Sequence, residues 1–419
     1  GEYVWHYQTT PGDTWDYTAT QHMILADLKI KGEQIPVIMQ APKNGFFYVL
    51  DRRNGDLISA EKYTVASWAS HVDPETGRPI ETGDADHSFR EVMTSPAPFG
   101  GHNWQPMAFN QSESLVYIPA MESASAYSTA AKFTYLQGSH WNTAQNDESE
   151  NADMMTAVPP ELLGQLLRRL LQGKLIAWDP IKQEPRWTYD HKTMWNGGVL
   201  TSVSGLVFQG GGDGIFRAFS AETGEVLWEV NTGTGIIAPP VSYAINGEQY
   251  IAIMAGWGGA VGLTANVPGA VAGGNGRLLV YKLGGNKVLP IEPISKSLPQ
   301  PPAATASDET VIQGARLYNR HCLRCHGVGV IGGGVISDLR YMSEGSHQLF
   351  QQIVRGGLFE SLGMVSFADV LTEADAEAVH SYIIAAANQE WDEQQSSDGW
   401  KSFRSWGYEK MSAVIRWFL

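Results

Sequence analysis

The sequence predicts a mainly β chain with an all-α end: a propeller of short strand repeats, then a small helical domain. Three observations carry this. A strand–turn–strand unit ending in tryptophan recurs through the first two thirds. The chain holds 45 Gly, 16 Tyr and 14 Trp among 419 residues, a composition rich in tight turns and strand-forming aromatics. A proline-rich run then gives way to helical periodicity.

The repeat is clearest at Ala218-Phe219-Ser220-Ala221-Glu222-Thr223-Gly224-Glu225-Val226-Leu227-Trp228. It reads as strand, tight turn, strand, with Gly224 free to take a turn conformation that a Cβ resists. Ala177-Trp178-Asp179 through Trp187 has the same spacing, and Leu50-Asp51-Arg52-Arg53-Asn54-Gly55 repeats its first half. Short alternating strands precede these units, as in Gly205 to Phe208 and Tyr250 to Ile253. Regular four-strand units of this kind predict a β-propeller over residues 1–285, in which a tryptophan from each blade packs on its neighbour. Gly1-Glu2-Tyr3-Val4-Trp5 matches Gly224 to Trp228. The expectation is therefore that the sequence enters a repeat halfway, as the C-terminal blades of a longer propeller; a smaller propeller closed in another way is the alternative. Asp147 to Asp153 reads as a solvated acidic loop, and residues 159–173 as either a short helix or a loop.

Residues 286–307 form a linker in which Pro290, Pro293, Pro299, Pro301 and Pro302 favour extended chain. Residues 308–390 then read as the helical domain. Asp308 is expected to cap a helix that turns Val311, Ala315 and Tyr318 inward. Thr372-Glu373-Ala374-Asp375 reads as a capping box opening a last helix to about Ala387. Residues 391–419 are an aromatic tail, suited to packing on the propeller, a partner or a membrane surface.

The helical domain carries Cys322-Leu323-Arg324-Cys325-His326, with the only two cysteines of the chain. Two thiols at this spacing add to the two vinyl groups of a haem, and the adjacent His326 reaches the iron. A disulfide, a redox dithiol and half of a zinc site are the other readings. Zinc needs two more soft ligands and no second cysteine pair exists. A redox pair gives His326 no role and expects a preceding strand rather than a helix. A first helix, the haem motif, a ligand loop and a last helix make the layout of a class I cytochrome c. Met364 is the expected sixth ligand, with Met342 its competitor and His321 and His347 weaker ones. Core packing is the structural alternative for each methionine. His321 is expected to be exposed. A net charge of −15, from 29 Lys+Arg against 44 Asp+Glu, argues against nucleic acid as partner. Covalent haem implies export to the periplasm or an equivalent compartment, yet no signal peptide opens the sequence; removal by processing or by truncation is expected, and the half-repeat at Gly1 favours truncation, because signal cleavage rarely cuts inside a hairpin.

Trp5-His6-Tyr7-Gln8-Thr9-Thr10-Pro11-Gly12-Asp13-Thr14-Trp15-Asp16-Tyr17 resembles the PQQ-dependent quinoprotein alcohol dehydrogenases. With the haem motif behind it, the chain resembles their quinohaemoprotein branch. Further matching stretches are Ala41 to Arg52, Gly101-His102-Asn103-Trp104-Gln105-Pro106-Met107, Trp195-Asn196-Gly197-Gly198 and Gly256-Trp257-Gly258-Gly259.

The resemblance implies roles. Asp16 matches the base that takes the alcohol proton, and is a possible calcium ligand; a turn aspartate is the structural alternative. Thr18 stands where lanthanide-dependent relatives carry a second aspartate, which favours calcium. Lys43 matches the cation facing the quinone carbonyls, where it stabilises developing negative charge. Asn103 and Trp104 match contacts to the PQQ rim. Trp257, Gly258, Gly259 and Ala260 match a loop beside the quinone, with blade packing an equal reading for Trp257. The family's remaining calcium ligands, its vicinal disulfide and its aromatic floor for PQQ have no counterparts here. Both cysteines are committed to haem, so a complete pocket is expected to need residues ahead of Gly1.

The resulting expectation is an enzyme that oxidises primary alcohols to aldehydes at PQQ, with calcium, and passes electrons through haem c to an external acceptor such as a blue-copper protein, a cytochrome or a quinone. An electron-transfer cytochrome with a non-catalytic propeller, and a PQQ dehydrogenase for a different alcohol, polyol or aldehyde, are the alternatives.

Overall fold

The computed structural model describes residues 1–135, 144, 171–258, 276–287, 290, 298–332 and 336–395. The expected acidic loop, nearly all of residues 159–173 and the tail beyond 395 lie outside these. The chain divides into two compact units. One holds Gly1–Thr129, Leu167–Trp257 and Val267–Glu292; the other holds Ala130–Leu166, Gly258–Asn266 and Pro293–Leu419.

The first unit is built from antiparallel sheets. Strands β1 (Ile24–Ile30), β2 (Glu33–Gln40), β3 (Phe46–Asp51) and β4 (Leu57–Lys62) form a four-stranded meander. Two short pairs follow: β5 (Ala69–Val72) with β6 (Pro79–Glu81), and β7 (Val92–Thr94) with β10 (Ser125–Tyr127). The second four-stranded sheet is β8 (Ala108–Asn110), β9 (Leu115–Glu122), β11 (Gln172–Asp179) and β12 (Glu184–His191). The third is β13 (Asn196–Thr201), β14 (Leu206–Gly211), β15 (Ile215–Ser220) and β16 (Val226–Asn231). The fourth has three described strands, β17 (Val241–Ile245), β18 (Glu248–Ala255) and β19 (Arg277–Lys282).

Alternation along the inner strands explains how the sheets stack. On β9 and β11, Val116, Ile118, Ile176 and Trp178 meet Val37, Met39, Phe47 and Val49 of the first sheet. Their neighbours Leu115, Tyr117, Leu175 and Ala177 point the other way, against Val199, Val207 and Phe219 of the third. Phe208, Phe216 and Ala218 of the third sheet pack on Ile251, Ile253 and Ala255 of the fourth. Each inner strand therefore feeds two cores, which is why β9 is buried along nearly its whole length.

The expected tryptophan docking is present twice. The Trp187 indole lies on the turn glycine Gly224, where a Cβ would come within 2.6 Å of the ring, and its Nε1 donates to the Ala221 carbonyl at 2.9 Å. Trp5 lies on Gly55 in the same way and donates to the Arg52 carbonyl at 3.1 Å. Both glycines have positive φ (+74° and +82°), so the turn geometry and the ring contact each demand glycine.

In the second unit, α1 (Asp308–His321) leads into α2 (Leu323–His326), followed by α3 (Glu344–Gln348), α4 (Phe350–Val354) and α5 (Glu373–Gln395). Ser307, not Asp308, is the N-cap of α1, accepting from the Thr310 amide; Asp308 sits in the first turn, where its charge suits the helix dipole. The capping box at α5 is made as expected. The Thr372 hydroxyl accepts from the Asp375 amide at 3.1 Å and the Asp375 carboxylate accepts from the Thr372 amide at 3.0 Å. That helix runs eight residues past the expected end at Ala387. Gly314 lets α1 and α5 cross closely, since a Cβ there would fall 1.9 Å from the Ala378 carbonyl oxygen. At the end of the proline run, the Pro302 carbonyl accepts from Asn388 of α5 at 2.7 Å.

Candidate cofactor sites

Asp16 sits between two buried aromatics. Trp15 and Tyr17 are 3% and 1% exposed and stack with centroids 5.5 Å apart. Trp68 and Tyr127 complete this platform; Tyr127 donates to the Trp15 carbonyl at 3.3 Å. With both neighbours turned inward, Asp16 is forced outward, in a left-handed backbone conformation (φ +67°) that is uncommon for a residue with a Cβ. Lys43 holds it there. The Lys43 ammonium donates to the Asp16 carbonyl at 2.9 Å and to its carboxylate at 3.0 Å. The Lys43 side chain is 9% exposed and that of Asp16 is 56%, so the lysine is the fixed partner and the carboxylate the accessible one. Burial first, and then the Asp16 carboxylate, raise the pKa of the Tyr127 phenol. Thr18 is exposed.

Lys43 follows β2, and Asn44 anchors that turn. Its amide nitrogen reaches the Thr9 carbonyl at 3.1 Å, Thr10 Oγ1 at 3.2 Å and the Tyr48 hydroxyl at 3.0 Å. The loop from Phe99 to Gln105 closes over Lys43. Gly100 lies against it so tightly that a Cβ would meet Lys43 Cγ at 2.4 Å. The Gly101 amide donates to the Lys43 carbonyl at 2.9 Å. Asn103 and Trp104 lie on this loop, two and three residues after the Gly101 that bonds Lys43. The Asn103 amide is committed to the loop, donating to Phe99 at 2.8 Å and accepting from the Trp104 amide at 2.9 Å. Trp104 is 44% exposed and offers an open indole face.

From Phe99 the contacts continue to the third sheet. Phe99 meets Trp195 edge to face at 5.7 Å. A Cβ on Gly212 would approach both the Trp195 carbonyl (2.6 Å) and the Trp257 ring (3.2 Å), and one on Gly235 would lie 2.4 Å from Trp257. Trp257 thus packs on bare backbone of the third sheet, which is the blade-packing role. Gly258 is half-buried; Gly259 and Ala260 lie outside the described residues. The residues that sequence reasoning missed are Gly100, His102 and Trp195, which position the others. The Gly100-Gly101 pair was the available signal, since adjacent glycines mark a close backbone approach.

The corner fits a planar anionic quinone in part. It supplies a buried cation, exposed and buried indole rings, and a buried Trp195 Nε1 with no acceptor among the described residues. It does not by itself fit calcium. No group of three or more His, Cys, Asp or Glu among the described residues is placed to hold a metal ion, and Asp16 offers one carboxylate toward the six to eight oxygens calcium takes.

The haem motif closes α1 and forms α2. Cys322 is buried and Cys325 half-buried. Burial, with Cys325 beside it, pushes the Cys322 thiol up to about 12. His326 Nδ1 donates to the Ser337 carbonyl at 3.1 Å, which leaves Nε2 as the lone-pair nitrogen for iron. Burial holds His326 toward its neutral form, the form that ligates a metal. Met364 and Met342 both border the same core, which contains Tyr318, Cys322, Phe350 and Phe367. Met364 follows Gly363, whose φ of +94° turns the ligand loop. His321 is buried rather than exposed, with its ring 6.2 Å from Phe367. Its place on α1 puts it on the face that packs into the core. His347 is hydrogen-bonded to His380 at 2.9 Å.

Comparison with known proteins agrees with both halves. The sequence matches the glucose/ethanol/alcohol dehydrogenase β-propeller family (PQQ) over residues 1–76 and 82–251, and the cbb3-type cytochrome c oxidase subunit III family over residues 309–383. It is 42% identical to the quinohaemoprotein alcohol dehydrogenase ADH-IIG of Pseudomonas putida, covering 96% of this chain and 56% of that protein. The 1-butanol dehydrogenase (cytochrome c) of Thauera butanivorans is 36% identical, with 93% and 55% covered. Among solved structures, the quinohaemoprotein alcohol dehydrogenase of Comamonas testosteroni superposes with a TM-score of 0.78 at 39% identity, over 93% of this chain and 56% of that one. The chain spans about half the length of the curated relatives it matches. No helix among the described residues is long and apolar enough to cross a membrane. With a PQQ-type propeller followed by a cytochrome c domain, the chain belongs to the quinohaemoprotein alcohol dehydrogenase family, whose members use PQQ and haem c.

Proposed function

We propose that the protein carrying this chain oxidises primary alcohols to aldehydes in the periplasm and delivers the electrons through a covalent haem c to an external acceptor: a blue-copper protein, a cytochrome or a quinone. The observation that carries this reading is the Asp16–Lys43 pair. Asp16, in a left-handed turn, is held by a buried ammonium at its backbone carbonyl and at one oxygen of its accessible carboxylate. Asp16 takes the alcohol's hydroxyl proton on its carboxylate oxygen. Lys43 fixes the direction in which that carboxylate points and keeps positive charge at the corner. Trp104 offers an apolar wall to the substrate or to the cofactor rim. PQQ, when bound, supplies the two-electron acceptor that no amino-acid side chain offers. Asp16 is a single candidate ligand for calcium, and no step is assigned to that ion.

In the second unit, Cys322 and Cys325 would attach the haem, and His326 Nε2 and Met364 would ligate its iron. A thioether ligand raises the haem potential and suits it to receive electrons one at a time. The test is steady-state oxidation of a primary-alcohol series with a dye acceptor. Asp16→Asn abolishes turnover while haem content stays unchanged. Undiminished turnover in that variant removes Asp16 as the base. Polyols or aldehydes turning over faster than any primary alcohol replaces the substrate class.

A further inference from the structure

The loop that carries Asn103 and Trp104 is fastened to the Lys43 strand end by a side chain with no assigned role. His102 is completely buried. Its Nδ1 lies 2.8 Å from the Ala41 carbonyl and its Nε2 lies 2.6 Å from the Gln105 carbonyl. Carbonyl oxygens only accept. A neutral imidazole has one N–H and serves one of them; the imidazolium serves both. The backbone carbonyl of His102 is itself taken by the Gln21 amide at 3.3 Å, so the residue is gripped at three points. One contact reaches Ala41, two residues before Lys43. Another reaches Gln105, immediately after Trp104.

We propose that His102 is a proton-dependent positioning residue: as the imidazolium it ties the Asn103–Trp104 turn to the Lys43 strand end from both ring nitrogens, and as the neutral ring it releases one of the two. Geometry assigns the two contacts, and electrostatics sets when both are made. Burial pushes the His102 pKa below its ordinary value of 6.5, the Gln105 and Ala41 carbonyls push it back up, and His22, itself held toward neutrality by burial, lowers it further when protonated. Lys43 is the other cation in the loop's surroundings. The double grip is therefore complete on the acid side of the His102 titration and is lost as pH rises through it. A neutral ring leaves a nitrogen lone pair facing a carbonyl oxygen in a site without water access, and that face of the loop moves away. Any effect on an anionic quinone rests on the functional reading above; the clamp does not.

The test is ring-nitrogen NMR on the chain labelled with 15N-histidine, between about pH 5 and 8, with the His102 signals identified by their absence in His102→Gln. The expected result is a buried ring with two N–H groups at low pH that loses one as pH rises. Hydrogen exchange of the peptide spanning Gly100 to Gln105, corrected for its intrinsic pH dependence, quickens several-fold over the same interval. That second measurement uses the unmodified chain, so it stands if His102→Gln fails to fold. A ring that stays singly protonated throughout, or exchange with no step at the ring's titration, overturns the proposal. Calorimetric titration with PQQ separates the two readings. Affinity that weakens with the same step supports both. Absence of PQQ binding alongside the expected ring titration leaves the clamp in place and unlinked from the quinone.

Discussion

The two candidate cofactor regions, for haem and for the quinone, are assembled in opposite ways. The candidate haem site is local: Cys322, Cys325 and His326 lie within five residues, at the junction of α1 and α2. The quinone corner is dispersed. Asp16, Lys43 and the loop at Phe99 to Gln105 come from separate parts of the chain and meet through buried contacts such as Lys43 to Asp16 and Gly101 to Lys43. A local site tolerates movement elsewhere but fails when one of its own residues changes. A dispersed site also fails when a residue that only positions the others changes.

The largest effect belongs to the local site. His326→Ala or Cys322→Ala eliminates the normal c-type haem spectrum, while the propeller unit keeps its fold by circular dichroism. Next comes Lys43→Met, which releases Asp16. Turnover falls by about 10²–10³-fold, the range seen when one preorganised electrostatic partner is lost. An equal loss from Trp104→Ala, which offers a surface and no charge, would break the distinction between the fixed and the accessible groups.

Stability effects follow. Burial pushes the His191 pKa down from 6.5 to about 4, although Gln209 bonds its ring at 2.9 Å. The unfolded chain therefore binds the proton that the folded chain refuses. His191 contributes stability that is complete above pH 6.5 and is lost as pH falls toward 4, by up to roughly 3 kcal/mol. Urea unfolding against pH shows this slope, and His191→Gln flattens it. Gly100→Ala strikes the dispersed site through packing. Its φ of +84° and the Lys43 side chain 2.4 Å from the added Cβ cost about 1–3 kcal/mol. Turnover drops with stability, because Lys43 must move. The smallest effect is Ser307→Ala, about 1 kcal/mol from the lost cap on α1, read as a lower Tm of the haem-bearing unit with no change in turnover.

This contrast also decides what could be read from residues alone. The haem motif and the turn glycine Gly224 are short-range patterns with fixed spacing, and the docking of Trp187 on Gly224 follows from repeating the unit, as the sequence leads one to expect. The Thr372–Asp375 capping box is equally local. What escaped were facts set by packing. Ser307 caps α1 although Asp308 is as good a capping type, because the register of the helix decides. His321 is buried because α5 and the Phe367 segment cover that face. The Asp16–Lys43 pair, the pressure of Gly100 on Lys43 and the double grip of His102 join residues with no periodic relation, so no pattern announces them. Trp257 fitted two roles in the sequence, and its contact with Gly212 and Gly235 is set by packing between distant segments.

The central claim is that one protein couples alcohol oxidation at the Asp16–Lys43 corner to the haem held by His326. Its most direct test is the visible spectrum of the haem-loaded protein with PQQ and calcium, before and after a primary alcohol is added. The account predicts reduced c-type bands on adding alcohol, and none in Asp16→Asn, although dithionite reduces both proteins. Reduction by dithionite but never by alcohol, in protein shown by calorimetry to hold PQQ, would contradict it and leave an electron-carrying cytochrome beside a non-catalytic propeller.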